Sequence, residues 1–139
     1  DYLSCTLTFW ITGKFDLDND SKKINQINGG VLREWYDNGK IFIEYNYNNG
    51  KRHGIQKRWY ENGNIEITYN FNKGKLHGEQ NNWYDNGKLK SLKSYINDVI
   101  NGISKEWYIN GQLKVVKLYD NGILDKIVES YNINGDSNM

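Results

Sequence analysis

The chain reads as all-β: an elongated, twisted, single antiparallel sheet of about five to six tandem β-hairpins. Three observations predict this. The hexapeptide WYDNGK at 35–40 returns as WYENGN at 59–64, WYDNGK at 83–88 and WYINGQ at 107–112, each copy 24 residues after the last. Nine of the fourteen glycines follow an Asn, and Asn-Gly suits the tight turn of a hairpin. Between these turns the residues are β-branched and aromatic, with no Pro to interrupt a ladder and no amphipathic helical pattern.

Composition fits an array of small units. Apolar residues are 37% of 139, yet aromatics reach 14% and the net charge is +1, so the low-aromatic, high-charge signature of disorder is absent. Much of the apolar content is Trp, Tyr and Ile on short units, which suits a quasi-one-dimensional stack. Near-neutral charge gives no global attraction to nucleic acid, which is not expected as a partner. The single Cys5 cannot form an internal disulfide. No apolar run approaches the ~20 residues of a membrane span, and Leu3 to Ile11 lacks the basic leader of a signal peptide.

Taken in order, residues 1–139 form one array. Residues 1–29 are a degenerate first repeat with a polar loop; Phe9, Trp10 and Gly13 hold the places of Trp35, Tyr36 and Gly39. The regular repeats run over 30–122, and 123–139 make a degenerate last repeat or cap containing YNINGD at 131–136. In the second unit, Val31 to Tyr36 and Ile41 to Tyr47 are the two strands, with a type I′ turn at Asn38-Gly39 between them. Longer turns join the units, at NNGKRHG (48–54), NKGKLHG (72–78), NDVING (97–102) and DNGILDK (120–126). Gly54, Gly78 and Gly102 recur at one slot there, where a Gly lets the chain bend into the next hairpin.

A two-residue loop sets Asp37 opposite Lys40, Tyr36 opposite Ile41 and Trp35 opposite Phe42. One face then carries Leu32, Glu34, Tyr36, Ile41, Ile43 and Tyr45; the other carries Val31, Arg33, Trp35, Phe42 and Glu44. A one-residue slip inverts this assignment. Asp37–Lys40 recurs as Asp85–Lys88 and reads as a cross-strand charge pair.

The unit G-x-x-x-x-W-Y-x-N-G-K-L/I, followed by a Tyr-containing strand and N-G-K-x-H-G, resembles the MORN-repeat variant family over at least residues 30–122. That variant is the branch of MORN-like repeats associated with antitoxin components of bacterial toxin–antitoxin systems. The resemblance implies an extended sheet of successive hairpins that serves as an interaction or scaffolding module, sometimes at membranes, with no shared catalytic residue. The chain departs from the family pattern in the first unit, at Asp98 where a Gly is usual, and past Ile123.

Candidate functional residues form lines. Trp35, Trp59, Trp83 and Trp107 sit two strands apart, about 9.6 Å from one to the next at ~4.8 Å per strand, and form an aromatic rail. The rail reads either as an interface anchor or as cover for a one-layer sheet, with cover favoured. Lys90 and Lys114 fall opposite Trp83 and Trp107 in this register, within a stretch, 88–117, holding six Lys against Asp98 and Glu106. That strip reads as a solvated face, as a surface for an acidic partner, or as lysines stacked over indoles.

His53 and His77 share one repeat slot, too far apart to bind one metal ion, so no metal and no cofactor are expected. A repeat spreads each residue type along a line, whereas catalysis needs different types converging on a point, so no enzyme is expected.

The expected function is a non-catalytic module binding a protein partner: scaffold, toxin-neutralising component, or structural and host-interaction component of a giant virus. The Asn-, Ile- and Lys-rich composition suggests an AT-rich genome of bacterial or giant-viral kind. The alternative is an adaptor for an anionic lipid surface, using the Trp and Lys residues on one face. Self-association through sheet edges is a further expectation. The setting expected is intracellular, or a virion.

Overall fold

The computed structural model describes residues 29–139, which form one open antiparallel sheet of tandem hairpins, with no helix among them. The expected first unit and its loop lie outside the described residues. The strands are β1 (Gly29–Trp35), β2 (Ile41–Asn48), β3 (Lys51–Arg52), β4 (Gly54–Trp59), β5 (Ile65–Asn72), β6 (Lys75–Trp83), β7 (Leu89–Ile96), β8 (Val99–Ile100), β9 (Gly102–Trp107), β10 (Leu113–Asp120) and β11 (Ile123–Ser130). They lie side by side in the order β1-β2-β4-β5-β6-β7-β9-β10-β11, with the short β3 on β2 and β8 on β7. Chain order and spatial order coincide, as a stack of hairpins requires.

The two kinds of turn are the reverse of the sequence expectation. In the WYDNGK turn only Gly39 has a positive φ, at +85°, and Asn38 does not. Tyr36 N–H donates to the Lys40 carbonyl at 2.8 Å, and Gly39 N–H to the Tyr36 carbonyl at 2.9 Å. This is a three-residue loop, a type I turn closed by a left-handed Gly. The same two bonds recur at Tyr60, Tyr84 and Tyr108. The type I′ geometry belongs instead to the turns joining repeats. There both central residues are left-handed: Asn49 and Gly50, Lys73 and Gly74, Asn97 and Asp98, Asn121 and Gly122.

The longer loop displaces the register by one residue, and a bulge then restores it. Trp35 pairs with Ile41, not Phe42, while Glu34 pairs with Ile43 and Arg33 with Glu44. Phe42 is the extra residue, and Glu66, Lys90 and Lys114 repeat it. Beyond the bulge the expected faces hold: Leu32, Glu34, Ile43 and Tyr45 share one side, and Arg33 and Glu44 the other. Ile41 and Phe42 exchange sides.

One row crosses the whole described sheet: Glu34, Ile43, Arg58, Ile67, Asn82, Ser91, Glu106, Val115 and Ser130. Its Ile43, Ile67 and Val115 are buried, and Trp35, Phe42, Tyr45 and Tyr47 pack against Leu32 and Ile43. Beside this row runs a second: Leu32, Tyr45, Gln56, Tyr69, Gln80, Lys93, Ser104, Lys117 and Ile127. Tyr47, Phe71, Tyr95 and Tyr119 follow it on the same side, two residues further along their strands. We call this the tyrosine face.

The junction between β2 and β4 needs a side chain to complete it. β2 pairs with β3 at Tyr47 and with β4 at Glu44, and four residues of the second strand, 53–56, stand against two of the first. Gly54, left-handed at +77°, makes the detour. The Gln56 amide fills the gap: its Oε1 accepts from Asn46 N–H at 2.8 Å, and its Nε2 donates to the Asn46 carbonyl at 2.9 Å. The side chain thereby replaces a peptide group in the ladder, which is why a wholly buried amide is tolerated.

Candidate interaction surfaces

Most of the repeated hexapeptide is spent on joining one repeat to the next. Tyr36 Oη donates to the Trp59 carbonyl at 2.7 Å; Tyr60 does the same to Trp83 at 2.8 Å, and Tyr84 to Trp107 at 2.9 Å. Asn38 works in two directions. Its Oδ1 accepts from Lys40 N–H at 2.9 Å within its own turn, and its Nδ2 donates to the Glu61 carbonyl of the next turn at 3.0 Å. Asn62, Asn86 and Asn110 repeat both bonds. Lys40 Nζ reaches the Asn62 carbonyl, and Lys88 Nζ the Asn110 carbonyl, each at 2.7 Å. The expected Asp37–Lys40 and Asp85–Lys88 charge pairs are therefore replaced, since both lysines point forward along the array.

The junction turns carry a second line of such bonds. Gly74, Asp98 and Gly122 N–H each donate, at 2.8 Å, to the carbonyl of Arg52, Leu76 and Ile100. His53, the first of the two recurring histidines, accepts from Lys73 N–H at 3.3 Å, and Asn101 Oδ1 accepts from Asn121 N–H in the equivalent slot. Among the described residues no group of His, Cys, Asp and Glu is placed to hold a metal ion.

The side chains left over divide between two faces, and the division separates residues that the sequence reading placed together. Trp107 lines a groove of about 700 Å³ with Leu89, Leu92, Ile103, Leu113 and Val116, edged by Glu79, Ser94, Lys105 and Glu129. Leu92, Lys105, Val116 and Glu129 are cross-strand neighbours in a row on the side opposite the tyrosine face. Trp83 pairs with Leu89 and Trp107 with Leu113, as Trp59 does with Ile65. The four Trp residues of the rail are half-buried, and among the described residues no side-chain hydrogen bond engages their indoles.

Lys90 and Lys114 do not stand opposite Trp83 and Trp107. As bulge residues they lie over the rings of Tyr84 and Tyr108, at 5.4 and 5.5 Å from the ring centres. The bulge turns this slot toward the tyrosine face: Phe42 there touches Tyr36, and Glu66 accepts both Arg58 hydrogen bonds. A single surface combining the Trp rail with Lys90 and Lys114 is therefore not formed around β6–β10. Sequence reasoning missed the Leu92, Ile103 and Val116 side of the groove. The signal was present, since these apolar residues alternate with polar ones along their strands.

The tyrosine face is itself densely aromatic. Arg52 lies over Tyr45 at 4.4 Å and Phe71 at 5.6 Å, and Tyr69 meets Phe71 edge-on. Burial raises the pKa of Tyr47, Tyr69 and Tyr95 above the usual phenol value.

A family model described as the MORN repeat variant matches this chain at residues 28–49, 52–73, 76–97 and 100–121. These four segments cover more than half of the chain and coincide with the four regular hairpin units. No match is found among curated proteins. Among solved structures the chain is similar to one from the Glycosylation Associate Protein complex of Streptococcus agalactiae, at 16% identity and a TM-score of 0.41. That likeness covers 81% of this chain and 24% of the other, so the chain spans about a quarter of that protein's length.

Proposed function

The chain belongs to the MORN repeat variant family, and from that premise we propose that it is a non-catalytic scaffold that binds a protein partner in the groove beside Trp107. The observation carrying this reading is the groove itself. Six apolar side chains, Trp107 among them, converge there and are rimmed by Glu79, Lys105 and Glu129. Ile103 remains 40% exposed at its wall. Aromatic anchors in an apolar centre with a charged rim are the usual composition of a binding hot spot. The repeat-to-repeat bonds use the Trp107 carbonyl and leave its indole unengaged. Two finer roles would use the same surface: neutralising a toxin partner, and serving as a structural or host-interaction component of a virion. We place the protein inside the cell or in a virion.

The test is affinity capture from the native source with the wild-type chain and with Trp107→Ala. The variant is expected to lose a specific set of captured proteins while keeping its circular dichroism spectrum. Their identity then separates toxin from structural partner. Equal capture by both chains would move the binding surface elsewhere, and loss of folded structure in the variant would assign the indole to stability alone.

A further inference from the structure

Equivalent slots of a repeat meet the same folding demands, so a slot whose residue type changes partway along the array is not fixed by the fold and is open to another use. Two slots on the tyrosine face change together. The bulge slot holds Phe42 and Glu66 in the first two described repeats, then Lys90 and Lys114. The strand slot holds Tyr45 and Tyr69, then Lys93 and Lys117. Four lysines thus occupy one face of β7 and β10, with β9 between them.

The charge there is largely uncompensated. Lys117 is paired with Glu106 at 3.3 Å, whereas Lys90 and Lys114 lie over tyrosine rings. Gln80, Asn82, Ser91 and Ser104, the other polar neighbours in these two rows, carry no charge. In the β1–β5 half of the same face, by contrast, Arg58 is closed by Glu66 at 2.7 Å and Arg52 is stacked on aromatic rings.

We infer that this lysine quartet is a second docking surface, independent of the Trp107 groove, and that it takes an extended acidic segment of a partner protein. Spacing and relief both point to a peptide. β7 and β10 are two strands apart, so each lysine slot repeats after about 9.6 Å. Three residues of a segment in the polyproline II form, which has three residues per turn and a rise of ~3.1 Å each, span about 9.3 Å and return to the same side, so Asp or Glu residues at i and i+3 match the repeat. Relief disfavours a flat membrane. Lys90 and Lys114 are exposed, whereas Lys93 and Lys117 are half-buried in the sheet surface, within reach of a narrow chain settling between the rows.

The experiment titrates the full 139-residue chain, at about 0.05 M salt, with a labelled 12-residue peptide (about four turns of the Glu-x-x pattern in the polyproline II form), and follows anisotropy. The expected result is saturable binding that is abolished at about 0.5 M salt, where the Debye length falls to a few ångströms. A peptide of the same composition with its glutamates clustered should bind more weakly. Lys93→Gln with Lys114→Gln should weaken binding roughly tenfold. Lys105→Gln on the groove face should leave it unchanged, as should Trp107→Ala, which separates this surface from the proposed groove.

Absence of binding would overturn the assignment, as would equal loss in Lys105→Gln. Capture by phosphatidylserine vesicles in preference to the peptide, lost with the same lysines, would reassign the face to a membrane. Unchanged circular dichroism in each variant keeps these readings about the surface.

Discussion

At the scale of single residues, the hexapeptide divides into side chains that build the array and side chains that do not. Position 37 and its equivalents read Asp, Glu, Asp and Ile, and the structure shows why they vary. Only the backbone carbonyl is used, accepting from the preceding Asn at Glu61, Asp85 and Ile109. The neighbouring Tyr does not vary, because its hydroxyl spans to the next repeat. Replacing Tyr60 by Phe removes one hydrogen bond and leaves the half-buried Trp83 carbonyl without that donor. The expected loss is about 1–2 kcal/mol, read as a lower urea midpoint with an unchanged spectrum. Glu61→Ala, in the same turn, should stay within about 0.5 kcal/mol. Equal effects from the two substitutions would mean that the tyrosine ladder does not hold the repeats together.

At the scale of elements, the strands of the four regular units were legible, and the turn chemistry was only half so. Asn-Gly fits a type I′ turn, and it equally fits a type I turn followed by a left-handed Gly; the two differ in the φ of Asn38, on which residue identity is silent. The bulge left no mark either, since Phe42, Glu66, Lys90 and Lys114 share no chemistry. The sequence register sets Trp107 and Lys114 on one face and the bulge separates them onto two, so which candidate residues share a surface was not legible. Asp98 was visible as a departure from the repeat, and its reason is structural. It sits left-handed at φ 70° where its equivalents Gly50, Gly74 and Gly122 are glycine. Its carboxylate offsets the strain by accepting from Leu76 N–H at 2.8 Å, while its own N–H donates to the Leu76 carbonyl. Asp98→Gly loses the carboxylate bond and relieves the strain, so its stability should change by less than about 1 kcal/mol. Asp98→Ala loses the bond and keeps a left-handed β-carbon, and should cost about 2 kcal/mol or more. Thermal melts of the two variants decide this, and an Ala variant as stable as Gly would remove the argument.

At the scale of the whole molecule, long-range order is carried by bonds of fixed reach. Nearly every side-chain link between successive hexapeptide turns joins residues 22 or 23 apart, so the stack depends on the 24-residue period more than on any one contact. The described core is small, with five buried hydrophobic residues, and a sheet one layer thick gains its stability from neighbour-to-neighbour terms. Removing residues 60–83 joins Trp59 directly to Tyr84. Tyr36 then still meets the Trp59 carbonyl, and Asn38 finds the Asp85 carbonyl in place of Glu61. The shortened chain is expected to fold with the same circular dichroism per residue. Its unfolding should be cooperative, with a urea m-value reduced in proportion to the surface lost. Removing residues 61–83 instead leaves one residue too many between Trp59 and the following turn. Every side chain beyond that point would then face the wrong side unless a new bulge absorbs it. That second chain should unfold at lower urea and over a broader range than the first. If the two shortened chains unfold alike, the order of this molecule does not reside in its period, and the ladder of turn-to-turn bonds is a consequence of the sheet and not its cause.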